Sequence, residues 1–141
     1  MTEAVRKAYD ELRLRAYSIV PEFFRQRANM SGKDPYIILY DVEFNKSSPY
    51  LDIHAGAFET SLMVEKFPNL VDIDTAQSLP SSETTIEGLK KWLKGGSGAR
   101  EVTPLGYLGD PSAIDVRAAS ESNEKLVNEI VKAINTTLTK E

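Results

Sequence analysis

The stretch YLDIHAGAFETSLMVEKF, residues 50–67, predicts a strand, a tight turn and a helix in immediate succession. YLDI at 50–53 is short and suits a strand, and HAG at 54–56 supplies small residues for a turn. AFETSLMVEKF at 57–67 has apolar residues at helical spacing, and Pro68 follows where the helix is expected to stop. A strand that leads directly into a helix is typical of an α/β fold.

The segments before this stretch add a helix and a strand. YIILYDVEF, residues 36–44, opens as a continuous apolar run, which suits a strand buried on both faces of a sheet. Residues 2–20 repeat apolar side chains at the spacing of one helix face. Pro21 is expected to end or kink that helix, or to start a short second helix.

The segments after the stretch are shorter, except for the last helix. LVDID, residues 70–74, is expected to be strand or extended chain. Thr84 and Glu87 have the spacing of a capping box before a short amphipathic helix. The last helix is expected over residues 120–139, with the Ser120 side chain as its N-cap.

These elements predict an α/β layered fold, with a mainly parallel sheet flanked by helices in a single domain over residues 1–141. A chain of this length can bury roughly 68–70% of its unfolded surface, which is enough for its own core. Few strands are recognisable, whereas a parallel sheet normally needs cover on both faces. We therefore expect a partial layered fold that is marginally stable or associates with other chains.

Composition restricts the classes of partner. The chain is 41% hydrophobic and 27% charged with a net charge of −4, and it has no basic run, so we expect neither nucleic acid nor a membrane as partner. It has no cysteine, which excludes disulfides, thiol catalysis and Cys-ligated zinc. The start MTEAVRKAYDEL lacks the apolar core of a signal peptide, so we expect a cytoplasmic protein.

His54 is the only histidine, and the residues alone leave two interpretations of it open. A histidine side chain has an ordinary pKa of about 6.5, so it can transfer protons near neutral pH. This one lies at the end of a predicted strand, where α/β sheets bind ligands. In the other interpretation, Ala55 and Gly56 make a turn and residues 59–61 cap a helix. A zinc site needs about three or four ligands, so this chain is assigned no metal ligand.

Three runs of sequence closely resemble the creatininase family of amidohydrolases. DIHAGAFETSLM and FPNLVDID, within residues 50–74, resemble the family's His-(Ala/Gly)-Gly-x-x-Glu-Thr-Ser-Leu-Met run and the Pro-x-Leu-Val-Asp that follows it. GYLGDPSAID, residues 106–115, resembles the family's Gly-x-x-Gly-Asp-Pro turn before its last helix. The resemblance implies an α/β fold and a two-metal site, with zinc or manganese, that activates water to hydrolyse a cyclic or linear amide.

The resemblance also implies roles for individual residues. The family's histidine assists proton transfer or contacts the substrate, and this catalytic role falls on His54. Some members have a glutamate directly before that histidine, where this chain has Ile53, and Asp52 is the candidate to replace it. The residues expected to bind substrate or to support the loop are Asp52, Ala55, Gly56, Glu59, Thr60 and Ser61.

The sequence departs from the family where the metals bind. The family's Glu-x-His segment and its Asn-Gly-His-Gly-Gly-Asn-like loop are absent, so the chain resembles the C-terminal half and is expected to bind no metal alone. Three hypotheses remain open: a truncated protein that is inactive alone, one chain of a split or homo-oligomeric enzyme with a metal-bearing partner, and a non-catalytic interaction module. Whether the chain is itself an enzyme stays open, and a completed enzyme would act on a small-molecule amide.

Overall fold

The computed structural model of the protein describes residues 2–22, 36–42 and 50–139. These residues form six α-helices, one 3-10 helix and a two-stranded parallel sheet, which is compatible with the predicted α/β class. They group into two compact units, Met1–Phe44 with Glu124–Glu141, and Asn45–Asn123. The single domain over the whole chain stays a prediction.

In the first unit, helix α1 spans Thr2–Leu12 and is shorter than predicted. Arg13 has a left-handed φ of 54°, and its N–H donates to the Tyr9 carbonyl at 3.0 Å. Leu14 N–H donates to the Ala8 carbonyl at 3.2 Å. This turn ends the helix. The prediction of a helix as far as residue 20 is therefore wrong.

The same unit contains strands β1 (Ser18–Pro21) and β2 (Ile37–Tyr40), which pair in parallel along their whole length. β2 confirms the predicted strand over 37–40, while residues 43–44 lie outside the described part of the chain. Pro21 ends a strand rather than a helix, a position that proline tolerates because its missing N–H is not needed in the ladder.

In the second unit, helix α2 spans Ala57–Lys66 and confirms the helix predicted at 57–67 to within one residue. A 3-10 helix, Pro68–Leu70, follows at once. Proline has a fixed φ and no N–H, so it fits the first position of a new helical turn better than the interior of α2.

Helix α3, Ile73–Ser78, replaces the strand or extended chain predicted at 73–74, whereas Val71 and Asp72 have the predicted extended backbone. Asp72 is its N-cap, and Asp72 Oδ1 accepts a hydrogen bond from Thr75 N–H at 3.0 Å. The cap satisfies a helix N–H that otherwise lacks a partner, and this local bond favours the helix.

Helices α4 (Ile86–Trp92) and α5 (Gly96–Val102) form a hairpin. Trp92 Nε1 donates to Thr103 Oγ1 at 3.1 Å, beyond the end of α5. The predicted capping box is wrong, since Thr84 Oγ1 donates to the Ser82 carbonyl and no side chain caps α4.

The last helix, α6, spans Val116–Leu138 and begins before the predicted start at Ser120. Asp115 Oδ1 accepts from Ala118 N–H at 2.9 Å and performs the capping that was predicted for Ser120. Ser120 lies inside the helix, and its hydroxyl donates to Glu65 Oε2 at 2.5 Å. Of the helices in the described ranges, none combines the length and apolar character that a membrane span requires.

Candidate active site

Backbone hydrogen bonds hold the residues around His54. His54 N–H donates to the Leu108 carbonyl at 3.0 Å, and Leu108 N–H donates back to the His54 carbonyl at 2.7 Å. Ile53 N–H shares the same Leu108 carbonyl at 2.8 Å. The strand predicted at 50–53 is wrong, because the pairing is a single antiparallel bridge. Leu108 is fully buried, so the bridge ties the histidine to the interior of its unit.

A third segment completes the support. Ser82 N–H donates to the Gly109 carbonyl at 2.9 Å, and Gly109 N–H donates to Ser82 Oγ at 2.9 Å. Leu51 N–H donates to the Thr84 carbonyl at 3.0 Å. Residues 51–54, 82–84 and 108–109 are therefore joined by hydrogen bonds, and we call these three segments the loop frame.

Gly56 and Gly109 meet where the turn before α2 contacts the loop frame. A Cβ atom on Gly56 would collide with Asp52 Oδ1 and lie 2.8 Å from Gly109 Cα. A Cβ atom on Gly109 would lie 2.7 Å from Gly56 Cα and 2.6 Å from Asp52 Oδ1. The close approach of the two backbones therefore requires glycine on both sides.

The Asp52 carboxylate lies at the N-terminus of α2. Asp52 Oδ2 accepts from Phe58 N–H at 3.0 Å, so Asp52 caps the helix from outside it. Partial burial raises the pKa of Asp52, and the charges of Glu59 and Asp110 act in the same direction. Hydrogen bonds from the backbone of Phe58 and Ala57 oppose the rise in this pKa.

His54 and Glu59 face each other across the turn. His54 Nδ1 lies 3.5 Å from Glu59 Oε2, which is an ion-pair distance rather than a hydrogen bond, and the side chains are 57% and 52% exposed. The same Glu59 oxygen accepts from Ala55 N–H at 2.6 Å. Ala55 has a φ of 48°, a strained conformation for a residue with a side chain. Glu59 therefore holds both the imidazole and the strained turn.

Ser61 links α2 to the start of α6. Its hydroxyl donates to the Ala57 carbonyl at 2.6 Å and accepts from Asp115 N–H at 2.9 Å. Ser61 is 1% exposed, so these two bonds satisfy a hydroxyl that water does not reach. The neighbouring Thr60 instead lines a cavity.

That cavity lies within the second unit and has a volume of about 480 Å³. Ala55 and Glu59 of the turn line it, together with residues of α2, α3 and the loop that precedes Leu108. His54 is not among the lining residues. Of the predicted residues, Ala55, Glu59 and Thr60 line the cavity. Asp52, Gly56 and Ser61 do not line it but hold the turn and α2 in place through their contacts.

The side chains in the described part of the chain do not fit a metal centre. Within 2–22, 36–42 and 50–139, no three His, Cys, Asp or Glu side chains lie together in a way that could hold a metal ion. His54 has one carboxylate neighbour, Glu59, at 3.5 Å. A zinc ion needs three or four such donors.

Sequence reasoning missed the residues that support the turn from a distance. Leu108 bonds to His54 and Asp115 bonds to Ser61 of α2, while Gly109 contacts Gly56 and is itself bonded to Ser82. All four residues come from segments that are remote along the chain. The available signal was GYLGDP, which was recognised as a turn similar to one in the family. A turn motif does not reveal which strand end or helix its backbone will contact.

A model of a known protein family matches nearly the whole chain. The family model Creatininase, described as creatinine amidohydrolase, matches residues 1–134 of the chain. The chain therefore belongs to the creatininase family, which confirms the resemblance found in its sequence, and family members are metal-dependent α/β proteins. No curated protein and no solved structure matches the chain.

Proposed function

We propose that this chain takes part in the metal-dependent hydrolysis of a cyclic or linear amide C–N bond, and that His54 is the residue that carries the proton. Membership of the creatininase family supports the reaction class. The observation that carries the role of His54 is its pairing with Glu59, with Nδ1 3.5 Å from Oε2 and more than half of the imidazole exposed.

The chemistry asks two things of such a residue. Hydrolysis adds one water across the C–N bond, so the proton that the water loses must reach the leaving nitrogen. A histidine can accept and return that proton near neutral pH. Glu59 beside Nδ1 favours a proton on that nitrogen, which leaves Nε2 as the proton acceptor. The loop frame fixes the backbone of His54, so only side-chain rotation remains.

The metal-binding part of the reaction is proposed to come from a partner chain. The described side chains do not fit a metal centre. We therefore propose that the chain is inactive alone and that zinc or manganese is held by a partner that carries the family's two metal-binding segments. A homo-oligomer is the other assembly consistent with the sequence, and it stays a prediction.

The test is to purify the chain, add zinc or manganese, and assay cyclic and linear amides by release of the amine. The assay is then repeated with a candidate metal-bearing family chain, alone and mixed with this chain. The proposal expects activity only in the mixture, and expects His54→Ala and His54→Gln to remove most of it.

Three results would contradict the proposal. Hydrolysis by this chain alone would remove the need for a partner. Full activity of a mixture that contains His54→Ala would remove the role of His54. A stable complex with the partner but without any hydrolysis would favour the alternative, a non-catalytic interaction module.

A further inference from the structure

The cavity beside Glu59 has a chemical character that restricts what can bind there. Its volume of about 480 Å³ lies within the range of small-molecule sites, roughly 300–1,000 Å³. Most of its wall is apolar, with side chains that include Met63, Leu79, Leu105 and Tyr107. The surface of such a wall favours an apolar ligand group, because apolar area is removed from water on binding.

The polar groups of the wall are nearly all engaged within the protein. Tyr107 Oη donates to the Pro80 carbonyl at 2.5 Å, so its ring lines the cavity while its hydroxyl is occupied. Asp72 accepts from Thr75 N–H at 3.0 Å and from Thr75 Oγ1 at 2.7 Å, one bond on each oxygen. Both groups are therefore already hydrogen-bonded within the protein, although each can still accept a further hydrogen bond.

Of the two carboxylates in the wall, that of Glu59 is the less engaged. Its Oε2 accepts from Ala55 N–H at 2.6 Å, while Oε1 has no hydrogen-bond partner among the described residues. Its side chain is 52% exposed, so a ligand in the cavity can reach the carboxylate.

The charges of the wall are all of one sign. The described lining residues include two carboxylates, Glu59 and Asp72, and no Lys, Arg or His. An anionic ligand would lose its hydration and meet only negative charge in this wall, whereas a cation or N–H donor would donate a charge-assisted hydrogen bond to Glu59. Charge complementarity therefore selects against carboxylates and phosphates.

We propose that this cavity binds a small amphiphilic amine or amide, whose apolar group packs against the wall and whose protonated or N–H nitrogen is held by Glu59. This inference rests on the proposed function in one respect, since it identifies the cavity as the pocket for the substrate's side group. The binding itself requires neither a metal nor a partner, because every described group that carries it belongs to this unit.

The test is an amide NMR titration of the whole chain with three probes of similar size: phenethylamine, phenethyl alcohol and phenylacetate. The amine should bind roughly tenfold more tightly than phenylacetate, with shifts at Thr60, Ala76 and Tyr107. Equal binding of the amine and phenylacetate, or no binding of any probe, would overturn the proposal.

Three variants locate the site. Glu59→Gln should weaken phenethylamine roughly tenfold and leave phenethyl alcohol unchanged, since glutamine keeps an acceptor for Ala55 N–H but loses the charge. Glu87→Gln removes the same charge from an exposed position on α4 and should change nothing. Val71→Phe fills the cavity from its wall and should abolish binding of both probes. Unchanged binding in a folded Val71→Phe, or equal effects of the two Glu→Gln variants, would overturn the proposal.

The two proposals fail in different ways. A completed complex that binds phenethylamine through Glu59 but hydrolyses no amide would remove the proposed function and leave the cavity's ligand class intact. Hydrolysis of amides by a complex in which Glu59→Gln changes neither probe binding nor KM would overturn the ligand class alone. If Val71→Phe does not fold, the comparison of Glu59→Gln with Glu87→Gln decides.

Discussion

Gly56 and Gly109 lie back to back, and a Cβ atom on Gly56 would come within 2.8 Å of Gly109 Cα. Gly56 has a φ of −96°, which an alanine adopts without strain, so a substitution there tests the close contacts of Gly56 with Gly109 and with the Asp52 carboxylate. We expect Gly56→Ala to lower the free energy of unfolding by about 3 kcal/mol, because Gly109 is held in the loop frame and a shift of the Asp52 carboxylate would disturb its bond to Phe58 N–H. Urea denaturation measures the change.

Gly106→Ala is the matched control in the same loop. Gly106 has a φ of 88° and no atom within 4 Å of the position of a Cβ, so it tests backbone strain without a collision. We expect a loss of about 1 kcal/mol. Equal losses of unfolding free energy in the two variants would show that the contacts of Gly56 with Gly109 and Asp52 are not tight.

Ser61→Ala tests the link between α2 and α6. It removes the acceptor of Asp115 N–H and leaves an unsatisfied donor beside a residue that is 1% exposed. We expect the free energy of unfolding to fall by about 1–3 kcal/mol. A change no larger than that of Ser97→Ala, an exposed serine on α5, would show that the bond contributes nothing.

Ser18→Ala should have the opposite sign. Ser18 is also 1% exposed, but its Oγ has no hydrogen-bond partner in the described part of the chain. Removing a buried hydroxyl without a partner relieves its desolvation, so we expect a gain of about 1 kcal/mol in the free energy of unfolding. A loss in the same denaturation experiment would indicate that the hydroxyl does have a partner.

Asp52→Asn should change the way stability depends on pH. Burial raises the pKa of Asp52, so its contribution to stability is fully present below the ordinary aspartate pKa and is lost as the pH rises through the folded-state value. The free energy of unfolding of the asparagine variant should therefore rise relative to that of the wild type as the pH increases above the ordinary aspartate pKa. Urea midpoints across that range measure the difference.

Asp72→Asn provides a control of opposite sign. Hydrogen bonds from Thr75 lower the pKa of Asp72, so its contribution is present above the ordinary aspartate pKa and is lost as the pH falls. The free energy of unfolding of this variant should fall relative to that of the wild type as the pH rises. Parallel pH profiles for the two variants would contradict the pKa direction assigned to Asp52.

His54→Ala should affect chemistry and not folding. In an active mixture with the metal-bearing partner we expect kcat to fall about 100-fold, the usual loss for a general acid or base. The side chain is 57% exposed, so the free energy of unfolding should stay within about 0.5 kcal/mol of that of the wild type. A fall in stability with unchanged kcat would make His54 a structural residue.

Local signals predicted α2 well. Its apolar spacing and Pro68 both act within a few residues, and the observed helix, Ala57–Lys66, matches them. The same kind of signal failed at α1, because the apolar spacing continues past Leu12 while the left-handed turn at Arg13 ends the helix. At 70–74 the apolar and acidic letters suggested a strand, but the side chain of Asp72 capped a helix.

The sequence predicted which residues belong to the candidate site, but it did not predict the contacts that hold them in place. The resemblance to the family singled out His54 and the residues up to Ser61, all of which lie in one bridge residue, turn and helix start. Their contacts with Leu108, Gly109 and Asp115 join segments far apart in sequence, which periodicity does not address. Chemical roles for these residues stay predictions.

The bridge between His54 and Leu108 is made only of main-chain atoms, with bonds of 3.0 and 2.7 Å. The turn is therefore indifferent to which side chain stands at position 54. Position 54 is therefore suited to protein engineering, because a lysine, a cysteine or a synthetic amino acid substituted there would keep the same backbone bonds and lie beside Glu59. The frame would then carry a reactive group of the designer's choice.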